Sequence, residues 1–564
     1  MRALAIAGQE ARRPAERARP PRAMKAVLVG PIQQENLALQ YLAAAARRAG
    51  HEAEVIAYND RAELDAAVER TLAAGADLVG VGLAFQNAIE DYLEFLRALR
   101  PRGFAGHLTC GGHVPTFCHR ELLRDVPDLD TAVRHEGEET IVAMLDLLSR
   151  GEPVRDLAGL VWRDGDAIAE GPVRAPVMDL DSLPPAEKSA EPYMVGGTVV
   201  DFVITARGCI GECSYCSIAA FTSEQGVSFR LRKPEPVAEE ISVAYHERGA
   251  RVVFVQDDLF VLPREKKTVE RCRALREGLD RRGVGDVVFW VKGRPETITP
   301  GTCEALRDMG AIHMFLGVES ATAARLEYLG RTHLPSHNRS AIAVCKGHGI
   351  VPSFNFMLFD PDSTIDDIDA TLDLAEEHLD LPWNVCRTEV YSGTALRSRL
   401  ESEGRLEGDY RSYGYRMRDA RAEVMFRVLR VCLHERGLAC ESLLNRLISL
   451  SFARQIHERF FPGPATSTFS EQAMRVGVEA RRDTVRVLRE VLAFVREVDV
   501  RDAAAVRRYA VEQALAIQVR DLAFRKRTEE LWQLSHVRGL RLWAQRGVVP
   551  PGRARAGYGV AAGS

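Results

Sequence analysis

The chain has 564 residues, 46% of them hydrophobic and 27% charged, and a formal net charge of −4. That length predicts three or four domains at about 150 residues each, and near-neutrality gives no global reason for a nucleic-acid partner. No apolar run approaches the ~20 residues of a bilayer span, and eleven scattered cysteines do not make the disulfide framework of a secreted protein, so a reducing cytoplasm is expected.

In chain order, residues 1–23 are rich in Arg, Ala and Pro without the apolar centre of a signal peptide, and read as a disordered extension. From 24 to 150, short apolar strands at 25–30, 52–57, 77–83, 107–110 and 131–134 alternate with amphipathic helices such as 37–49, 61–73 and 88–99. This alternation predicts a Rossmann-like, doubly wound parallel sheet in an α/β fold, with ligands beyond the carboxyl ends of its strands. The loops at that edge are 31–35, 84–87, 111–116 and 135–139. Residues 151–197 read as a connector holding a small hairpin, 159–162 with 167–170, about Asp164-Gly165.

A second alternation fills 198–396. Strands are expected at 200–205, 252–256, 287–291, 313–318, 353–359 and 384–391, separated by helices such as 236–248, 266–281, 302–309 and 336–348. Six βα units predict a partial (β/α)6 barrel with its chemistry at the strands' C-terminal ends. Residues 397–548 show helical periodicity at 420–433, 442–456, 482–500 and 503–520 and no convincing strand, which predicts an all-helical domain. The Gly/Arg/Ala-rich stretch 549–564 reads as a disordered tail.

The chemistry-bearing motif follows the first barrel strand: Arg207-Gly208-Cys209-Ile210-Gly211-Glu212-Cys213-Ser214-Tyr215-Cys216. Three thiolates at C-x3-C-x2-C spacing can wrap one face of a cubane and leave one iron without a protein ligand. Iron–sulfur clusters are ordinarily held by four Cys, and the next cysteine, Cys272, falls far away in an expected helix. An open iron can take an external amino and carboxylate group. Structural zinc wants a closed set of four ligands, usually two pairs, and no second pair exists here.

This motif resembles that of the radical SAM superfamily, C-x3-C-x-aromatic-C, with Tyr215 in the aromatic slot. The resemblance extends over 199–396 and implies a [4Fe–4S] cluster on Cys209, Cys213 and Cys216 that cleaves S-adenosylmethionine (SAM) reductively. It implies SAM contacts from Tyr215, from Asp257 and Asp258 at the end of the second strand, from Arg294 ending the third, and from Glu319 in Gly317-Val318-Glu319-Ser320. Asp257 and Asp258 could instead cap the helix that follows. Gly393-Thr394 resembles the ending of the sixth strand, with Ala395 in place of Pro. The fifth-strand turn, Phe359-Asp360-Pro361-Asp362-Ser363-Thr364, departs from the pattern because it lacks both Gly and Glu.

Residues 25–150 resemble the cobalamin-binding domain that precedes the barrel in one large radical SAM class. The resemblance is carried by the runs 35–44 and 76–82, by Gly50-His51, by Cys110-Gly111-Gly112-His113 and by His135-Glu136-Gly137-Glu138-Glu139. It implies corrinoid contacts from Gln86, Asn87, Gly111, Gly112, His113, Glu136 and Gly137. The D-x-H-x-x-G loop that supplies an axial histidine in other cobalamin domains is absent, Gly30-Pro31-Ile32-Gln33-Gln34-Glu35 standing in its place. Physically, Gly111-Gly112 would let the backbone approach a bulky ligand.

The resemblance implies a cobalamin-dependent radical SAM methyltransferase acting on an unactivated carbon of a small natural product or a peptide. Its electron donor would be of the flavodoxin or ferredoxin kind. The same cofactors would also serve ring formation or oxidation without methyl transfer. A tRNA-modifying methylthiotransferase would need three further cluster cysteines in its N-terminal domain and a C-terminal β-barrel, against Cys110 and Cys118 and a helical end here. A non-enzymatic corrinoid carrier would not need the near-complete barrel.

Overall fold

The computed structural model describes residues 22–84, 86–439, 441–548 and 555–556; residues 1–21 of the expected extension and most of the expected tail lie outside these. Seven strands build the N-terminal sheet: β1 (Lys25–Gly30), β2 (Glu52–Ala57), β3 (Leu78–Gly82), β4 (His107–Gly111), β5 (Thr131–Val133), β6 (Leu160–Asp164) and β7 (Ala167–Glu170), in the order β2-β1-β3-β4-β5-β6-β7. The first five are parallel. Val27, Val29, Val79 and Val81 pack against one helical layer, Ala26, Leu28 and Leu78 against the other. Continuous apolar strands are what a sheet covered on both faces requires. The connector hairpin is not free-standing, because β6 pairs antiparallel with β5 and extends the sheet.

The second unit opens with β8 (Tyr193–Val195) and β9 (Thr198–Val203), followed by a hairpin of β10 (Ala206–Gly208) and β11 (Phe229–Leu231). Then come β12 (Val252–Val255), β13 (Val288–Gly293), β14 (Ala311–Glu319), β15 (Val351–Phe359) and β16 (Trp383–Arg387). The order β16-β15-β14-β13-β12-β9-β8 leaves an open half-barrel of six parallel strands, with β8 antiparallel on its edge. Where a disordered tail was expected, Arg555–Ala556 adds a short strand beside β8. Outward side chains such as Val253, Val255, Phe289 and Val291 meet Ile241, Leu275 and Leu306 of the surrounding helices.

The inner face carries an aromatic ladder across adjacent strands. Phe202 stacks on Phe254 at 5.5 Å, Phe254 on Trp290 at 4.0 Å, and Trp290 on His313 at 5.9 Å between ring centroids. Such pairs each add about 0.5–1.5 kcal/mol beyond area burial. Helix Leu443–Phe460 floors the lumen: Ile448, Phe452 and Ile456 join this aromatic cluster, and Gln455 Oε1 lies 3.1 Å from His313 Nδ1. Ser442 caps that helix through the amide of Asn445.

The C-terminal domain is helical as expected, built on Ala420–Cys432, Leu443–Phe460, Pro464–Glu497 and Ala503–Gln545. One expectation fails there. Residues 406–415 form a hairpin, β17 (Leu406–Asp409) with β18 (Ser412–Tyr415), where no strand was expected. Glycines and charges hide its alternation, and tertiary contact fixes it: Tyr410 at its turn is buried in the N-terminal core, and its hydroxyl donates to Asp125 at 2.7 Å.

Candidate active site at the facing edges of two sheets

The cysteine loop leaves β9 and returns through the β10–β11 hairpin, so it sits at the C-terminal mouth of the barrel. Asp257, at the end of β12, pins its root by accepting from the amides of Thr205 (2.6 Å) and Ala206 (2.8 Å) and from Arg271 (3.1 Å). Its carboxylate is fully buried among these donors. Asp257 thus brackets the loop and does not cap the helix that follows, which begins at Glu265. Further along, Ser214 donates its amide to Leu329 O at 2.9 Å, and Ser214 O accepts from Leu396 at 2.7 Å. Gly330, at φ +70°, packs so closely that a Cβ there would lie 2.8 Å from Glu212 O.

The three thiols share one neighbourhood, Cys213 buried and the other two partly exposed. Gly211 donates its amide to Cys209 Sγ at 3.3 Å. Cys216 precedes helix Ser217–Ser223 and faces the amides of Ala219 and Ile218. Two guanidinium groups approach Cys213 Sγ, Arg331 at 3.4 Å and Arg294 at 3.7 Å. Burial pushes the Cys209 thiol up and that of Cys216 up to about 12, so iron must displace protons to bind. Among the described residues no three His, Cys, Asp or Glu side chains close on one point as a single ion requires. Thiolates fed by amide donors and flanked by two cations suit a cluster bearing net negative charge.

Around this loop the other expected SAM residues gather. Glu319 ends β14 at φ +60°, a left-handed conformation costly for a side-chain-bearing residue. It is buried, 3.7 Å from Arg331, and hydrogen-bonded to the Tyr215 hydroxyl; burial raises its carboxyl above the ordinary range. Asp258 lies within electrostatic reach of Cys209 and Cys216; desolvation by the surrounding protein, opposed by Lys292 and reinforced by Asp257, pushes its carboxyl up to about 6. Arg294 is bound to Glu296 (2.6 Å) and Thr332 (3.2 Å) as well as facing Cys213. Arg331 and Lys292 escaped the sequence reading because neither lies in a motif; only the fold brings them to the mouth.

The N-terminal sheet turns its carboxyl edge toward the same mouth. Gln86, in the turn after β3, is buried and donates to Tyr410 O at 2.5 Å, while its Oε1 has no partner. Asn87 shares that turn, its side chain lying outside the described residues. His113 begins the helix after β4; burial lowers its ring to about 4, it packs at a tilt of 42° on Phe221 with 4.6 Å between centroids, and its Nε2 has no partner. Unpaired buried polar atoms at this edge fit a ligand rich in amide groups. Gly111 has only ordinary contacts, and Gly112, at φ +112°, is required because a Cβ would meet Leu83 O at 2.7 Å. The turn from β4 into its helix therefore demands glycine at this position. Gly137 abuts Leu42 of helix Leu37–Arg48. The Glu136 carboxylate is filled by Arg207 (3.1 Å), Arg230 (2.7 and 2.9 Å) and the Val177 amide (3.0 Å).

Residues 27–145 match the B12 binding domain family, and residues 203–375 match the radical SAM superfamily. An uncharacterized methyltransferase of Pyrococcus horikoshii is 26% identical over 57% of this chain and 68% of its own length. The anaerobic magnesium-protoporphyrin IX monomethyl ester cyclase of Cereibacter sphaeroides is 28% identical over 48% of this chain, and the match spans 46% of that enzyme. Among solved structures, the cobalamin-dependent S-adenosylmethionine radical enzyme OxsB, with aqua-cobalamin bound, superposes with a TM-score of 0.62 at 14% identity, covering 94% of this chain and 82% of that one. The last likeness speaks to fold alone. By its two matched domains and the cysteine loop between their facing edges, the chain is a radical SAM enzyme with an N-terminal B12 binding domain, whose cofactors are a [4Fe–4S] cluster, SAM and cobalamin.

Proposed function

We propose that this enzyme methylates an unactivated carbon of a small-molecule or peptide substrate held between the barrel mouth and the N-terminal sheet. The observation that carries the reading is the convergence of two carboxyl sheet edges on one space, with three cluster thiols and two unpaired buried polar groups on its walls. When bound, the cluster supplies the electron that cleaves SAM to methionine and a 5′-deoxyadenosyl radical, and the corrinoid supplies the methyl group.

The chain's own residues position these reactants and keep water out. Cys209, Cys213 and Cys216 would hold the cluster. Arg331 and Arg294 offset thiolate charge at Cys213, Tyr215 orients Glu319, and Asp258 offers a carboxylate to an ammonium at the mouth. The tight loop between Leu329 and Leu396 limits solvent on the buried side. Electrons come from a reduced flavodoxin or ferredoxin in a reducing compartment; no helix of the described residues is long and apolar enough to cross a membrane.

The test is anaerobic reconstitution with iron, sulfide and hydroxocobalamin, followed by absorption spectra of the desalted protein and SAM cleavage under dithionite. Bound corrinoid and deoxyadenosine are expected, and Cys209→Ala should lose cleavage while keeping the corrinoid. A protein that binds tetrahedral zinc at this loop would end the proposal. Product mass separates methylation, a gain of CH₂, from the ring-forming chemistry named for one relative.

A further inference from the structure

The loop after β5 makes contacts that neither domain match accounts for. Residues 134–138 grip the cluster-bearing segment at both ends. On the near side, Glu136 and Glu138 bind Arg207, two residues before Cys209, the former at 3.1 Å and the latter at 2.5 Å. Glu136 also binds Arg230 on the other strand of the hairpin at 2.7 Å. On the far side, His135 Nδ1 donates to Phe221 O at 3.1 Å and its Nε2 lies 3.0 Å from Glu224, while Arg134 reaches the same carboxylate at 2.7 Å. Phe221 belongs to the helix that begins just after Cys216. Its ring packs on both His135 and His113, at 5.2 and 4.6 Å.

His135 is held at φ +61° to do this, its amide fixed to Thr116 Oγ1 at 2.9 Å. That conformation costs a side-chain-bearing residue on the order of 1–3 kcal/mol and persists where the surrounding contacts fix it. Arg207 is further confined by the Tyr41 ring, 5.2 Å away on helix Leu37–Arg48 of the N-terminal domain. The loop lies at the carboxyl edge of the parallel sheet, where a ligand of that sheet must sit. Whatever fills that edge therefore presses on a segment that contacts the stretch 207–224 on both sides of the cysteines.

We propose that residues 134–138 are a clamp that ties corrinoid occupancy to the conformation of the cluster loop, with Glu136 and His135 as its positioning residues. Binding at the sheet edge steadies the clamp, and the clamp steadies residues 207–224. By linkage the effect is reciprocal, the ordered cluster loop tightening the hold on corrinoid. This inference rests on the two-cofactor reading above, so its test needs a signal independent of turnover.

Hydrogen–deuterium exchange of the full-length protein, with and without hydroxocobalamin, supplies one. In the unsubstituted protein the corrinoid should slow exchange in 207–224 by about tenfold, within the usual range of coupling between sites. In Glu136→Gln that protection should vanish, while the corrinoid still slows exchange in the loop after β3 and weakens in affinity by about the same factor. Glu138→Gln, which leaves Glu136 on Arg207, should show a partial loss, so that a misfolded first variant does not decide the matter. Equal protection of 207–224 in the unsubstituted protein and both variants overturns the clamp. Absence of any corrinoid-dependent protection anywhere overturns the two-cofactor reading instead.

Discussion

Arg331 joins three things at once: it faces Cys213 Sγ and Glu319, and it donates to Gly317 O. Removing one member of a buried charged set leaves the others uncompensated, at a cost of about 3–5 kcal/mol. Arg331→Leu is therefore expected to lower the melting temperature of the apoprotein and to reduce iron uptake, measured by calorimetry and iron assay. Arg331→Lys should restore part of both, since a point charge returns without the second donor. His313 offers a different test. Its ring is wholly buried between Gln455 and Ser353, and burial lowers it to about 4. The unfolded chain then binds a proton that the folded chain refuses between about pH 6.5 and 4, so stability falls as pH drops through that window. His313→Gln should flatten the dependence of melting temperature on pH there, by on the order of 3 kcal/mol.

At the turn from β4 into its helix, Gly112 combines a positive φ with a backbone carbonyl 2.7 Å from where a Cβ would stand. Gly112→Ala is expected to cost about 2–3 kcal/mol and to reduce corrinoid retention on a desalting column, while leaving cluster formation unchanged. Much of this architecture was legible in the sequence. All five parallel strands of the first sheet and all six of the half-barrel follow from apolar runs between amphipathic helices, because burial on both faces writes itself into composition. The cysteine spacing likewise announced its site. What the sequence could not show was partnership. Nothing in the sequence pairs Glu136 with Arg207 and Arg230, which lie far along the chain, or sets the amides of Thr205 and Ala206 on Asp257. The β17–β18 hairpin was missed for the same reason: its stability comes from Tyr410 seated in another domain's core, not from its own pattern.

Across all its domains the protein depends on contacts that no single one completes. The half-barrel's aromatic ladder meets Phe452 and Ile456 of the C-terminal domain and Tyr41 of the N-terminal one in a single cluster. A chain ending before Leu443 would expose that cluster to water, and at about 25 cal/mol per Å² of apolar surface the loss is too large for a marginally stable fold. Such a truncation should bind a hydrophobic dye and aggregate, seen by fluorescence and light scattering.

That the lumen's base is a separate helix has an evolutionary corollary. Ile448 and Phe452 fill the base of the half-barrel, and neither lies on a strand. Phe452→Ala should leave a cavity beneath the ladder and cost about 3–5 kcal/mol, read by calorimetry, while Phe452→Leu should restore most of it. The packing beneath the lumen can then drift in sequence without disturbing the cysteine loop at its opposite end.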